Sequence, residues 1–244
     1  MRELCSCDVR DALAHLDKTG LYSPALSAPS TSAGISRGAA RRSDTVSENP
    51  TSGGKKEKSV ALELVESKPL EHPALLQYLT KRGIDHDIVR QYLPQIDFKA
   101  PQGACSYLAL GHPEREGFEA RNAPFKRFIG IGKAVTFHDK PEATRLQVFE
   151  GFMDFLSYLS KDKPSQPVGA ALVLNSTDLW RRALAYINDP RFAEVRLYLD
   201  NDDAGRAASS KLFEHAEDAA KLVDMRSYYA GYEDLSVWLL GRKS

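Results

Sequence analysis

The stretch Val195-Arg-Leu-Tyr-Leu-Asp200-Asn-Asp202-Asp-Ala-Gly205 limits what this chain can be more than any other. Val195, Leu197 and Leu199 alternate along it as in a short buried strand, and the run stops in acids and a glycine. Side chains two apart on an extended backbone point to the same side, so Asp200 and Asp202 aim together beyond the strand's end. Paired carboxylates repel unless a positive group sits between them, and Mg²⁺ is the usual one. Gly205 lets the chain turn, and Ala204 to Glu217 has the composition of a following helix. The pattern puts an acid pair at the carboxyl end of a central parallel strand, where open α/β sheets place their sites. A plainer reading stands beside it, because Asp202 or Asp203 would also cap that helix. An EF-hand is excluded. With Asp200 opening the loop, Ala204 and Lys211 fall where the fifth and twelfth positions need oxygen ligands.

Around this stretch, residues 146–244 alternate strand and helix four times. Strands are expected at Leu146 to Glu150, Ala170 to Leu174, Val195 to Leu199 and Ala220 to Tyr228. Helices fit Phe152 to Leu159, Thr177 to Ile187, Ala204 to Glu217 and Glu233 to Leu240. Repeated β-α units of this length predict an α/β domain, a mainly parallel four-stranded sheet with helices on both faces. Phe152, Phe155, Leu156 and Leu159 make one apolar stripe, which reads as core. The strand before them ends in Glu150-Gly151, again an acid followed by a glycine. Neighbouring parallel strands end side by side, so Glu150 can meet Asp200 and Asp202 across the intervening chain, or stand as a solvated loop acid. Asp234, beside Glu233 at the start of the last helix, would complete a metal shell or simply cap that helix.

Residues 60–144 have a different character. Short helices fit His72 to Lys81, closed by Gly83, and Asp85 to Tyr92, ended by Pro94. Strand-like pieces follow at Gln95 to Phe98, Ser106 to Leu110, Gly117 to Arg121 and Phe128 to Phe137, giving a small mixed α+β domain. Arg121, Lys126, Arg127 and Lys133 are interleaved there with Phe118, Phe125 and Phe128. Such a mixture suits a groove for phosphates and stacked bases, and equally the charged outer face of an antiparallel sheet. Gly130-Ile-Gly132-Lys133 has neither the third glycine of a dinucleotide fingerprint nor the spacing of a P-loop.

The rest of the chain is bounded by composition. Residues 1–22 hold a short amphipathic helix with Val9, Leu13 and Leu16 on one side and Gly20 as a stop. Residues 23–59 are Ser, Ala, Gly, Pro and Thr with a mild basic excess, the composition of a flexible linker. Across all 244 residues, 33 basic side chains balance 33 acidic ones, so nucleic-acid contact would need a local patch. Three cysteines, Cys5, Cys7 and Cys105, are too few for a disulfide framework or a four-ligand zinc site. No zinc is expected in this chain. With no apolar run near the ~20 residues of a membrane span, and no signal-peptide core, a soluble cytoplasmic protein is expected.

Three motifs now stand in order: E-G-F-x-D after one strand, N-S after a second, and L-Y-L-D-N-D-x-A-G-R after a third. Together they resemble the Toprim domain, and more narrowly the Toprim proteins related to bacterial DNA primase that occur on mobile genetic elements. The closing Y-E-D-L-S-V-W-L is similar to the D-L-N-D-W-L tail of that group, departing at Ser236 and Val237. L-L-Q-Y-L-T-K-R-G-I, with the later R-N-A-P-F-K, resembles the small domain that precedes Toprim in primases. Members of that group often begin with a zinc-binding module. Cys5-Ser-Cys7-Asp-Val-Arg looks like the helix just behind one, which implies a chain that starts after the zinc ligands.

The resemblance implies catalytic and metal-binding roles for Glu150, Asp200 and Asp202, with Asp234 as a further acid and Mg²⁺ or Mn²⁺ as the cation. Glu150 in proton transfer is the other role it implies. Arg121, Lys126 and Arg127 become candidates for nucleic-acid or nucleotide contact, and Arg206 a candidate for a phosphate or a plain surface arginine. The implied activity is a primase-type nucleotidyltransferase making short RNA primers from nucleoside triphosphates on single-stranded DNA. Replication of a mobile element is the implied setting, with a replicative helicase or mobilisation proteins as partners. Two alternatives stand beside it: a Toprim nuclease cleaving phosphodiesters, and a non-catalytic DNA-binding accessory to replication. A topoisomerase would need a strand-passing domain for which the chain is too short.

Overall fold

A computed structural model describes residues 63–99, 106–114, 117–123, 125–130, 132–161 and 169–243. The helix expected at 1–22 and the linker expected at 23–59 lie outside these residues. The described chain opens with strand β1 (Glu63–Lys68), two short helices α1 (Pro73–Lys81) and α2 (His86–Tyr92), then β2 (Gln95–Lys99), β3 (Ser106–Glu114), β4 (Gly117–Asn122) and β5 (Phe125–Gly130). Local chemistry sets the helix ends. Pro73 occupies the first turn of α1, where its missing N–H costs nothing, and the His72 ring accepts from the Ala74 N–H at 3.2 Å. Gly83, at φ 66°, ends that helix in the left-handed conformation. Asp85 caps α2 by accepting from the Asp87 N–H at 2.9 Å. The five strands pair in sequence order, β1-β2-β3-β4-β5, each antiparallel to the next.

A second sheet follows. Its elements are β6 (Thr136–His138), β7 (Arg145–Phe149), α3 (Phe152–Lys161), β8 (Ala170–Val173), α4 (Trp180–Ile187), β9 (Glu194–Tyr198), α5 (Asp203–His215), β10 (Leu222–Asp224) and α6 (Leu235–Lys243). The order is β10-β9-β7-β8-β6, with the first four strands parallel and β6 antiparallel on the edge. The mainly parallel four-stranded sheet read from the sequence is present, and β6 adds a fifth strand. Sequence placed residues 136 and 137 in a long strand with Phe128. The chain instead leaves the first sheet at Gly130, whose φ of 137° only glycine adopts readily, and Thr136–His138 joins β8. The long strand expected at Ala220 to Tyr228 is only three residues. Asp224 shortens it, because its carboxylate accepts from both the Arg226 N–H at 3.0 Å and the Arg226 guanidinium, curling the backbone into a 3₁₀ turn.

Period-two alternation assigns each side of this sheet its own core. Leu146, Val148, Ala170, Leu172, Val195, Leu197 and Leu199 face α4 and α5, where Trp180, Ala183, Ile187, Ala208 and Leu212 complete one cluster. Phe149, Ala171, Val173 and Tyr198 face α3 and α6 on the other side. Leu75, Leu79, Ile88 and Val89 of α1 and α2 belong to that same second cluster, so the early helix pair packs on the parallel sheet's own core. The Asp85 N–H donates to the Ser160 hydroxyl of α3 at 2.9 Å, fixing the pair. Among the described residues no helix is long and apolar enough to cross a membrane.

Candidate active site

Three parallel strands deliver their carboxyl ends to one place. Glu150 follows β7 by one residue, Asn175 follows β8 by two and Asp200 follows β9 by two, and the backbone ladder continues beyond the strands to bind them together. The Glu150 N–H donates to the Tyr198 carbonyl at 3.2 Å, and the Asn175 N–H donates to the Glu150 carbonyl at 3.0 Å. From β9, the Asp200 N–H donates to the Glu150 carboxylate at 3.1 Å. Gly205 makes the approach of α5 possible. A Cβ there would lie 2.2 Å from the Asp200 carbonyl oxygen, so no other residue fits without moving the backbone.

Asp234 comes from the far end of the chain. Asn201 positions it: its N–H donates to the Glu233 carbonyl at 2.7 Å, and its side-chain amide donates to the Tyr232 carbonyl at 2.9 Å. That loop then starts α6, with the Asp234 carboxylate accepting from the Val237 N–H at 2.6 Å as an N-cap. A fourth acid, Asp154, lies in the first turn of α3 and is buried, accepting from the Ser236 N–H at 3.2 Å.

Glu150, Asp154, Asp200 and Asp234 line a cavity of about 330 Å³. Its other wall is basic. Arg121 of β4 and Lys126 of β5 face each other directly across their strand pair, an arrangement that like charges disfavour unless anions lie close by. Arg82, from the C-terminus of α1, also lines the cavity and donates to the Ser236 hydroxyl at 3.2 Å. Lys133 completes the wall, bridging the buried Glu119 at 3.0 Å and the Asn175 carbonyl at 3.3 Å. Asn175 itself takes φ 61°, a conformation Asn tolerates better than most, and its amide donates to the Ala134 carbonyl at 2.9 Å and the Thr136 hydroxyl at 3.0 Å.

The acids are held under electrostatic stress. Burial pushes the Asp200 carboxyl up to about 9, with Asp154, Glu150, Asp234 and Asp202 adding repulsion. Asp154 is pushed up to about 7, first by burial and then by Asp234, against the opposing Ser236 N–H. Glu150 is also raised, chiefly by burial, while the Asp200 N–H and Lys126 pull the other way. All four donors are hard carboxylate oxygens, and their crowding is the kind that a hard divalent cation relieves, so the donor set fits Mg²⁺ or Mn²⁺. No ready-made cluster of three His, Cys, Asp or Glu ligands occurs among the described residues, so ligands would have to close onto the ion.

Not every residue expected at the site reaches it. Asp202 is exposed and accepts from the Gly205 N–H at 2.7 Å as the N-cap of α5; the cavity lining does not include it, although its charge is felt by Glu150 and Asp200. The plainer of its two readings describes its contacts. Arg127 follows Lys126 along β5 and therefore points to the opposite face of the strand. Arg206 donates to the Asn201 carbonyl and the Asp203 carboxylate, each at 2.6 Å, and lines a separate open groove with Arg226 and Tyr232. Asp154, Arg82 and Asn175 line the cavity without having been singled out as site residues, and Lys133, named only within the basic and aromatic mixture, lines it too. Asp154 carried a signal, since it closes E-G-F-x-D, but the interior of the helix that holds it, Phe152 to Leu159, read as core.

Residues 147–237 match the family described as Toprim-like, and residues 64–130 match a domain of unknown function (DUF8464). No curated protein sequence matches the chain. Among solved structures, the primase fragment of the bacteriophage T7 primase-helicase superposes with a TM-score of 0.50 at 16% identity, covering 77% of this chain and 76% of that one. A chain from a complex of the T7 lagging-strand DNA polymerase with primase domains, bound to an RNA/DNA hybrid and dTTP, gives 0.50 and 16%, covering 73% of this chain and 87% of that one. At such identity the likeness is one of fold. The protein thus carries a Toprim-like domain at residues 147–237, within a fold shared with a phage primase fragment.

Proposed function

We propose that the protein is a primase-type nucleotidyltransferase that makes short RNA primers on single-stranded DNA with Mg²⁺ or Mn²⁺. One observation carries the reading: Glu150, Asp154, Asp200 and Asp234 line the same cavity as Arg82, Arg121 and Lys126. An acid wall facing a basic wall suits a nucleoside triphosphate and its cation together. When bound, the cation would neutralise charge on the phosphates and lower the pKa of an attacking hydroxyl. Glu150, Asp200 and Asp234 would hold it, with Asp154 behind them. The basic side chains would orient the triphosphate, and Asn175 and Lys133 would keep the mouth of the cavity in register. Phe152 and Met153, both buried, line the same cavity, and such apolar surroundings would strengthen each of these charge interactions.

The test is template-dependent oligonucleotide synthesis by the purified chain with ribonucleotides and Mg²⁺ on a single-stranded template. Product that vanishes without template or without Mg²⁺ supports the reading. Metal-dependent nicking of nucleic acid with no added nucleotide, and no synthesis, would instead assign the same acids to phosphodiester cleavage. Strand binding that ignores Mg²⁺ and leaves no reaction would mark a non-catalytic accessory.

A further inference from the structure

Next along the chain from the cavity lining, positive charge gathers in an awkward place. Ser176 and Thr177 line the cavity, and a single 3₁₀ turn (Thr177–Leu179) leads from them into α4. The first turn of α4 holds Arg181 and Arg182 and no acid, so two cations stand at the positive end of the helix dipole, where they cost stability. Both are exposed. Arg182 donates to the Lys133 carbonyl at 3.4 Å, and Lys133 belongs to the cavity wall. The Arg181 guanidinium stands 4.8 Å from the centre of the Trp180 ring, and the exposed Lys211 ammonium of α5 stands 5.8 Å from the same ring. His215 meets that indole edge-on at 4.9 Å.

Neither Arg181 nor Lys211 has a carboxylate partner among the described residues. The acids nearby are Asp178 on the intervening turn and Glu214, which lies 3.8 Å from His215. Two cations converging on one indole without neutralisation leave their outward N–H groups ready for an anion. Trp180 is buried, so it serves as a rigid seat for the cations and offers no face for a base.

We propose that Arg181, Arg182 and Lys211 form a surface that binds the phosphodiester backbone of single-stranded DNA where it passes the cavity mouth beside Lys133. The inference extends the proposed activity, since it supplies the path of a strand to that cavity. Contact is to phosphates alone, so binding is indifferent to base sequence and strongly salt-dependent.

The test is fluorescence anisotropy of a labelled single-stranded oligonucleotide in EDTA without nucleotides, which reads the surface independently of chemistry. Combined Arg181→Gln, Arg182→Gln and Lys211→Gln should weaken binding about tenfold or more near 0.1 M salt and lower the salt slope by about 2. A charge-matched variant, Lys81→Gln with Arg90→Gln and Arg145→Gln, should change the slope by less than half as much. Equal effects of the two triples, or an unchanged slope in the first, overturn the proposal. So does displacement of the oligonucleotide by polyglutamate at equal charge concentration, which would mark an acidic protein surface as the partner. Failure of the activity is separable: an inactive chain whose binding still depends on the three cations keeps the surface, and an active chain whose binding ignores them loses it.

Discussion

The Asp200 N–H donates to the Glu150 carboxylate at 3.1 Å, joining two acids fifty positions apart in the chain across adjacent parallel strands. The Phe149–Tyr198 register places them, since Glu150 lies one residue beyond β7 and Asp200 two beyond β9. The bond orients Glu150 toward the cavity and still leaves an oxygen for other partners.

Charge crowding at this site makes the cation-free protein less stable than its fold allows. A carboxyl whose folded pKa is raised contributes stability at low pH and loses it as pH climbs through the folded value, for Asp200 about 9. Asp200→Asn removes that loss, so at pH 8 and in EDTA it should melt at least about 2 °C above wild type. Saturating Mg²⁺ should raise the wild-type melting temperature and narrow the gap. Differential scanning calorimetry with and without Mg²⁺ checks both, and a lower melting temperature for Asp200→Asn in EDTA contradicts the account.

Asp202 can be separated into cap and carboxylate. Asp202→Ala should cost about 1 kcal/mol of stability by denaturant titration, because the Gly205 N–H loses its acceptor, whereas Asp202→Ser keeps a capping oxygen and most of that stability. Synthesis that survives in Asp202→Ser identifies a purely structural acid. Equal loss of synthesis in both variants shows that the carboxylate itself is used.

Two glycines with opposite surroundings give a contrast. Gly205→Ala drives a methyl to 2.2 Å from the Asp200 carbonyl and should destabilise by about 2 kcal/mol or more. Gly132→Ala meets nothing within 4 Å and should stay within about 0.5 kcal/mol. Urea unfolding of the two variants reads the difference directly.

His138 supplies an acid-side prediction. It meets two rings, stacked on Phe155 at 4.8 Å and edge-on to Tyr92 at 5.3 Å, and burial lowers its pKa from 6.5 to about 4. The folded state therefore holds fewer protons than the unfolded one between these values. His138 costs nothing above pH 6.5 and progressively destabilises as pH falls to 4, by a total of about 3 kcal/mol. The difference in unfolding free energy between wild type and His138→Phe should change across that window and stay flat above it. A difference independent of pH contradicts the burial argument.

Much of this architecture was legible because parallel strands write a simple code. The runs at Leu146, Ala170 and Val195 are continuous or alternating apolar segments ended by Glu150, Asn175 and Asp200, and each ending sits at the carboxyl edge of the sheet. Short-range reading failed where contacts are distant. Thr136–His138 is too short to announce itself and is held by pairing with β8. Arg82, the C-cap of α1, is far from the acids in sequence, and the shared core of α1, α2 and α3 brings it to the cavity. For Asp202 the sequence offered both readings: extended spacing aligns it with Asp200, while the chain turns at once and one Asp202 carboxylate oxygen accepts from the Gly205 N–H.

The central claim, that one acid cavity performs nucleotidyl transfer, is tested most directly by primer synthesis with Glu150→Gln. The substitution preserves size and an acceptor for the Asp200 N–H while removing the charge. The account predicts a fall in synthesis of about 10²-fold or more, with strand binding and melting temperature at or above wild-type values. Synthesis within about twofold of wild type would place the chemistry elsewhere.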